Sequence, residues 1–291
     1  MARQKTSYVC GTCGARTAQW QGQCPACEAW NTLEVAVSSI AAAGASRNAR
    51  TVTAGPSTSR TVTDIAQESD VRAATGIGEL DRVLGGGLVA GSVVLLGGDP
   101  GIGKSTLLLQ AADALSRERS VLYVSGEESV RQVASRAQRL GLDSTTLRLA
   151  AETRVETILA EAVASRAQVL VIDSIQTMQT ELSESSAGSA VQVRESAAQL
   201  VRFAKATGTT VLLIGHVTKE GLIAGPRILE HMVDTVLYFE SDPASRFRLV
   251  RAVKNRFGAA NELGVFAMVE QGLREVRNPS AIFLSRHPQP V

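Results

Sequence analysis

An α/β fold, with a mostly parallel sheet covered by helices on both faces, is what this sequence predicts, and three observations predict it. Strand-like and helix-like stretches alternate through the middle of the chain. The strand-like stretches are continuous apolar runs, as strands buried on both faces require. A glycine-rich loop, Gly98-Asp99-Pro100-Gly101-Ile102-Gly103-Lys104-Ser105-Thr106, joins one such run to a helical one. A loop of this composition between a strand and a helix wraps backbone N–H groups around nucleotide phosphates. Its glycines permit close approach of the backbone, and the start of the following helix adds partial positive charge. Lys104 is expected to reach the β- and γ-phosphates of ATP, and Ser105 to ligate Mg2+.

The 291 residues are 44% apolar and 20% charged, enough for one large α/β domain and a small appendage. A net charge of only +2 means that any nucleic-acid surface must come from local clustering of Lys and Arg. No apolar run approaches a membrane span, and the N-terminus lacks the apolar segment of a signal peptide, so a cytoplasmic location is expected.

Residues 1–35 are expected to form a zinc ribbon. All four cysteines lie there, as Cys10-Gly-Thr-Cys13 and Cys24-Pro-Ala-Cys27, a spacing that presents four thiolates to one tetrahedral ion. A redox disulfide or unrelated buried thiols are the competing readings, and a reducing compartment argues against them. Four sulfur ligands make the site structural. Gly14 follows the first pair, where a left-handed residue helps direct amides at the sulfurs, but Glu28 holds the matching place after the second. Trp20 and Trp30 are expected to cover the site as a small apolar shell. Residues 36–74, rich in Ala, Ser, Thr and Arg without periodicity, read as a mobile tether.

The predicted ATPase domain spans 75–278. It opens with a short amphipathic turn of helix and the glycines 85–87, which lead to a strand at 92–97. After the phosphate loop come a helix from Leu107 to Leu115, strands near 121–125, 146–149 and 169–172, and helices near 129–140 and 155–166. Asp173 ends the last of these apolar strands, where a carboxylate suits coordination of Mg2+. Glu127 and Glu128 follow the strand at 121–125; one of them is expected to orient and deprotonate the attacking water, Glu127 being the first choice. The other reading is that Glu128 merely favours the positive end of the next helix. His216, past the strand that begins at Val211, is expected to sense the γ-phosphate and relay its loss to the following loop.

Taken together, the cysteine ribbon with Cys24-Pro-Ala-Cys27-Glu-Ala-Trp30, the Thr75-Gly-Ile segment, the phosphate loop, Gly126-Glu-Glu, Asp173-Ser174, Gly215-His-Val-Thr-Lys219 and Lys254-Asn-Arg-Phe-Gly258 run through nearly the whole chain. The sequence resembles the bacterial RadA (Sms) family of RecA-like ATPases in homologous recombination and DNA repair. The resemblance implies a RecA-like core and a ring-forming, hexameric, DNA-stimulated ATPase. Such an enzyme moves on single-stranded DNA and promotes branch migration of recombination intermediates together with RecA. Lys254 and Arg256, following a strand near 247–253, are then expected to reach a neighbouring subunit's triphosphate. DNA is expected to be gripped by loops at 178–191 and 218–227, with Lys219 and Arg227 on its phosphates, both loops being disordered without DNA. The family also carries a Lon-protease-like domain after the core. Residues 279–291 are expected to lead toward it, so the sequence is expected to be either a truncated piece or a naturally shortened member, with weakened rings and unwinding and with ATP binding retained. Two other classes stay open: a clock-protein-like regulatory ATPase acting on protein partners, which gives no reason for the ribbon, and a zinc-ribbon adaptor whose nucleotide only stabilises the fold.

Overall fold

The computed structural model describes residues 8–10, 16–17, 20–25, 28–30, 33–35, 72–142, 145–183, 185–216, 229–241 and 246–276. The chain divides into two compact units, residues 1–53 and 54–291. In the first, β1 (Tyr8–Cys10) pairs antiparallel with both β2 (Arg16–Thr17) and β3 (Leu33–Val35).

The second unit begins earlier than the expected tether boundary. Arg72–Ala73 (β4) pairs antiparallel with Leu88–Val89 (β5), and Ala73 is buried, so these two residues belong to the core. Between them lies α1 (Gly78–Val83), a single amphipathic stretch that buries Leu80 and Val83.

The main sheet combines β6 (Val93–Gly98), β7 (Val121–Ser125), β8 (Arg148–Ala151), β9 (Val169–Asp173), β10 (Thr210–His216), β11 (Thr235–Ser241), β12 (Phe247–Asn255), β13 (Leu263–Val269) and β14 (Gly272–Glu275). Across the sheet their order is β14-β13-β12-β11-β6-β10-β9-β7-β8. From β8 to β11 all neighbours are parallel, whereas β12, β13 and β14 add an antiparallel edge. Strand β12 also runs two residues past the expected end at Val253, so Lys254 lies inside it.

Alternate residues of each central strand feed two cores. Val94, Leu96, Val121, Tyr123 and Val171 pack with Leu107, Leu108 and Ala111 of α2 (Lys104–Ser116) and with Val133 of α3 (Val130–Arg139). Val93, Leu95, Leu122, Leu170 and Ile172 pack with Ile158 of α4 (Val155–Ala164) and with Val193, Leu200 and Phe203 of α5 (Ala190–Thr207). Helix α3 starts in a capping box: Ser129 and Gln132 exchange side-chain to backbone bonds, satisfying two otherwise orphaned N–H groups.

The pentapeptide Lys254–Gly258 clasps the glycine loop that leads into β5. Asn255 Oδ1 accepts from the Phe257 N–H at 3.0 Å, and the Phe257 carbonyl accepts from Arg72 Nη2 at 2.7 Å. A Cβ on Gly258 would lie 3.0 Å from Gly85 Cα and 2.9 Å from Asn255 Nδ2. Gly258→Ala is therefore expected to overpack this backbone crossing and cost about 1–3 kcal/mol of stability. Thermal melting checks it, and an unchanged transition would show that the two backbones separate freely.

Candidate active site

Register brings the loop and its partners to one edge of the sheet. Gly98 stands opposite His216 across β6 and β10, and Ser125 stands opposite Asp173 across β7 and β9. These four strands are neighbours, so the phosphate loop, the two glutamates, Asp173 and His216 share the carboxyl edge, where open α/β sheets bind ligands.

The loop is shaped for an anion. Gly98, Gly101 and Gly103 have φ of +153°, +76° and +118°, which a side chain would strain, and Gly101 faces open space. Helix α2 starts with Gly103 as its cap and carries no side-chain cap bond, so its first N–H groups are not taken by a capping side chain. Lys104 is 3% exposed, and its Nζ donates to the carbonyls of Gly98 and Asp99, both at 2.8 Å. Burial lowers its amine to about 8, against the pull of Asp173, Asp99 and Glu127, which favour the charged form. Ser105 and Thr106 are half-buried on the first turn of α2, and Pro100 is exposed where the loop turns. An arrangement of N–H groups, a buried ammonium, a hydroxyl and a strand-end carboxylate fits a Mg2+–triphosphate.

The carboxylates divide their partners clearly. Asp173, 5% exposed, accepts from the Tyr123 hydroxyl at 2.5 Å; the Asp173–Ser174 peptide is cis. Burial first, then the charge and hydrogen bond of Asp173, push the Tyr123 phenol well above its ordinary range, so it remains a donor. Glu127 Oε1 accepts from Ser174 Oγ at 2.6 Å and lies 3.2 Å from His216 Nε2. Burial raises the Glu127 carboxyl, but the Ser174 bond, His216 and Lys104 outweigh it and hold it below the usual glutamate range. Glu128 instead pairs with Arg136 of α3, and its backbone N–H donates to Ser125 Oγ. The backbone just before them leaves no space at Gly126, where a Cβ would fall 2.1 Å from Thr177 Oγ1.

Four residues of this edge carry no assignment from sequence: Tyr123, Ser174, Gln176 and Thr177. Gln176 Nε2 donates to the His216 carbonyl at 3.2 Å, joining the short turn after Asp173 to the end of β10. A tyrosine in a buried strand that is apolar up to its terminal Ser125 is the one signal among them, since its hydroxyl needs an acceptor.

The two cations of the pentapeptide sit at the opposite edge. Asn255 pairs with Thr235, and Thr235 with Val94, four residues before Gly98 along β6, an offset of about 13 Å along the strand direction. Lys254 Nζ donates to the carbonyls of Glu230 and Val233 at 2.6 and 2.7 Å, while Arg256, its side chain 60% exposed, lies 3.3 Å from buried Asp234. Of the expected DNA loops, Lys219 and Arg227 lie outside the described residues. The first loop is partly built into the core: Met178 and Thr180 are buried, Gln179 exchanges backbone bonds with Thr153 and Val155, and α5 begins at Ala190.

Of the four expected zinc ligands, Cys13 and Cys27 lie outside the described residues and only the backbone of Cys10 is described, in β1. Cys24 is 1% exposed and starts a tight knuckle: Glu28 N–H donates to its carbonyl at 2.8 Å. Glu28 has φ of +59°, so the left-handed turn forms without glycine, and the knuckle fits a metal thiolate. Trp20 and Trp30 are 57% and 69% exposed and do not form the expected shell. No helix among the described residues is long and apolar enough to cross a membrane.

Comparison with known proteins agrees with this anatomy. The family described as "AAA domain" matches residues 58–221, and the one described as "Rubredoxin metal binding domain" matches residues 8–34. Proteins named "DNA repair protein RadA" align along nearly all of the chain. The one from Pseudomonas aeruginosa is 56% identical over 292 residues, covering 100% of this chain and 64% of the relative. Those from Escherichia coli and Bacillus subtilis are 52% and 50% identical, covering 97% and 98% of this chain and 62% of each relative. The chain thus spans slightly less than two thirds of the length of these relatives. Among solved structures, a KaiC-like protein from Pyrococcus horikoshii superposes with a TM-score of 0.59 at 23% identity, over 71% of this chain and 99% of the other.

The depressed Lys104 amine predicts a pH dependence of nucleotide binding. Phosphate oxygens favour the ammonium, so binding takes up a proton once the free protein has lost it above about pH 8. The ATP association constant is expected to fall about tenfold from pH 7 to pH 9. Titration calorimetry across that range tests this, with Lys104→Ala expected to bind weakly and without the slope.

Proposed function

The chain belongs to the AAA-domain family and, within it, to the RadA proteins, and we propose that it is a DNA-stimulated ATPase of recombinational DNA repair. The observation that carries this reading is the meeting of Lys104, Asp173 and Glu127 at the carboxyl edge of one parallel sheet. ATP with Mg2+ supplies the scissile bond to the γ-phosphate. The loop N–H groups and Lys104 bind and neutralise the phosphates, and Ser105 and Asp173 hold the metal. Glu127 orients water and accepts its proton. A carboxylate held below its ordinary range by Ser174 and His216 is ionised at neutral pH, as a base must be. Its contact with His216 offers a route by which loss of the γ-phosphate changes the segment that follows β10.

Arg256 and Lys254, at the far edge from their own loop, suit contact with a neighbouring subunit's triphosphate in a homo-oligomeric ring, the hexamer of the family. Lys219 and Arg227 are assigned to single-stranded DNA phosphates, and Cys10, Cys13, Cys24 and Cys27 to structural zinc. On this reading the motor drives branch migration of recombination intermediates alongside RecA.

Turnover measured with and without single-stranded DNA tests the function. Stimulation by DNA is expected; equal turnover in its absence would point to a regulator of protein partners, and binding without turnover to an adaptor. The two glutamates separate within the same assay. Glu127→Gln is expected to lower kcat by about 100-fold or more while ATP still binds. Glu128→Gln, which weakens only the pair with Arg136, is expected to stay within roughly threefold; the reverse order would exchange their roles.

A further inference from the structure

Tyr123, the third residue of β7, is fully buried on the sheet face that packs against α2. Every neighbouring position of that strand is apolar up to Ser125, so a phenylalanine would satisfy the packing. The hydroxyl needs another explanation. A buried phenol must find an acceptor, and this one finds Asp173 Oδ2 at 2.5 Å. The register places Tyr123 opposite Val171 and Asp173 opposite Ser125, so the phenol reaches two residues along the sheet, about 6.6 Å, to the strand-end carboxylate. Among the described residues, no protein hydrogen bond goes to the other oxygen, Oδ1.

Asp173 also shares the edge with buried Lys104, an opposite charge that would draw the carboxylate onto the ammonium. A direct pair between them would occupy both groups that the nucleotide and metal need. No ion pair joins Lys104 and Asp173 among the described residues, and the Tyr123 bond holds the carboxylate by Oδ2. We propose that Tyr123 is a positioning residue for the metal–nucleotide complex: it fixes the Asp173 carboxylate through Oδ2 and keeps Oδ1 directed to the ion. Tyr123 touches neither substrate nor metal, and the proposal rests on the reading of Asp173 as the metal-holding carboxylate.

The test is Tyr123→Phe in the full chain, which removes the hydroxyl and keeps the ring. Mn2+ binding in the presence of a saturating, non-hydrolysable ATP analogue is measured by electron paramagnetic resonance. Analogue binding without metal and thermal melting are measured alongside. Mn2+ affinity is expected to fall roughly tenfold or more, as on loss of other groups that orient a metal ligand. Metal-free analogue binding is expected to stay within about twofold, and the Mg2+ half-saturation of turnover to rise by the same factor as the Mn2+ loss, with kcat recovered at high Mg2+. A purely structural tyrosine would lower melting and leave metal affinity unchanged; that result overturns the proposal, as does an equal loss of metal-free nucleotide binding. Asp173→Asn separates the two layers. If it leaves Mn2+ affinity intact, the reading of Asp173 fails and takes this proposal with it; if it weakens Mn2+ and Tyr123→Phe does not, only the role of Tyr123 is lost.

Discussion

Lys104 is an ammonium 3% exposed at the start of a helix, held by the carbonyls of Gly98 and Asp99 and facing carboxylates it does not touch. Removing such a charge from water is costly unless hydrogen bonds and opposite charge surround it. The surrounding structure supplies both. The loop curls so that two of its own carbonyls reach the amine, and three acidic groups, Asp173, Asp99 and Glu127, favour its charged form. The sheet must therefore bring β6, β10, β9 and β7 side by side, since each ends in a residue of this edge. The same crowding fixes Gly126, because the backbone before Glu127 passes too close to Thr177 for a side chain.

The opposite edge follows a different logic. There the pentapeptide from Lys254 to Gly258 is largely architectural: Asn255 shapes its turn, Gly258 lies against Gly85, and Arg72 ties it to the start of the core. Lys254 is bound to the turn at 229–233 that resumes the chain after the second expected DNA loop. Burial lowers its amine and Arg256 adds to that, against the pull of Asp234 and Glu230. Arg256 is the more exposed of the two cations, and buried Asp234, which also pairs with Lys205 at 2.6 Å, lies 3.3 Å from its guanidinium. A motif that reads as a charged signature in sequence is thus two charges mounted on a rigid clasp.

Much of this was legible because the chemistry is contiguous. The phosphate loop is nine consecutive residues, and Val169–Asp173 announces both a buried strand and its terminal charge. What was hidden depends on pairing across distance. Tyr123 and Asp173 are 50 residues apart, and Ser174 and Glu127 are 47 apart; nothing local marks either pair. The antiparallel edge past Asn255 carries no comparable sign: β13, Leu263–Val269, is an apolar run whose direction is set by its partner and not by its composition, and β14 is only four residues long, two of them charged. The knuckle at Cys24 forms with Glu28 in a glycine-like conformation, which composition alone argues against. The tryptophans near it are exposed, since so small a unit has little interior to offer them.

In the working site the buried amine, the strand-end carboxylate and Glu127 converge on one triphosphate. A crystal structure of the chain with Mg2+ and a non-hydrolysable ATP analogue measures this directly. Lys104 Nζ should then donate to β- and γ-phosphate oxygens, with Ser105 and Asp173 around the metal and Glu127 within one water of the γ-phosphorus. An analogue bound elsewhere, with Lys104 still on the Gly98 and Asp99 carbonyls, would contradict it.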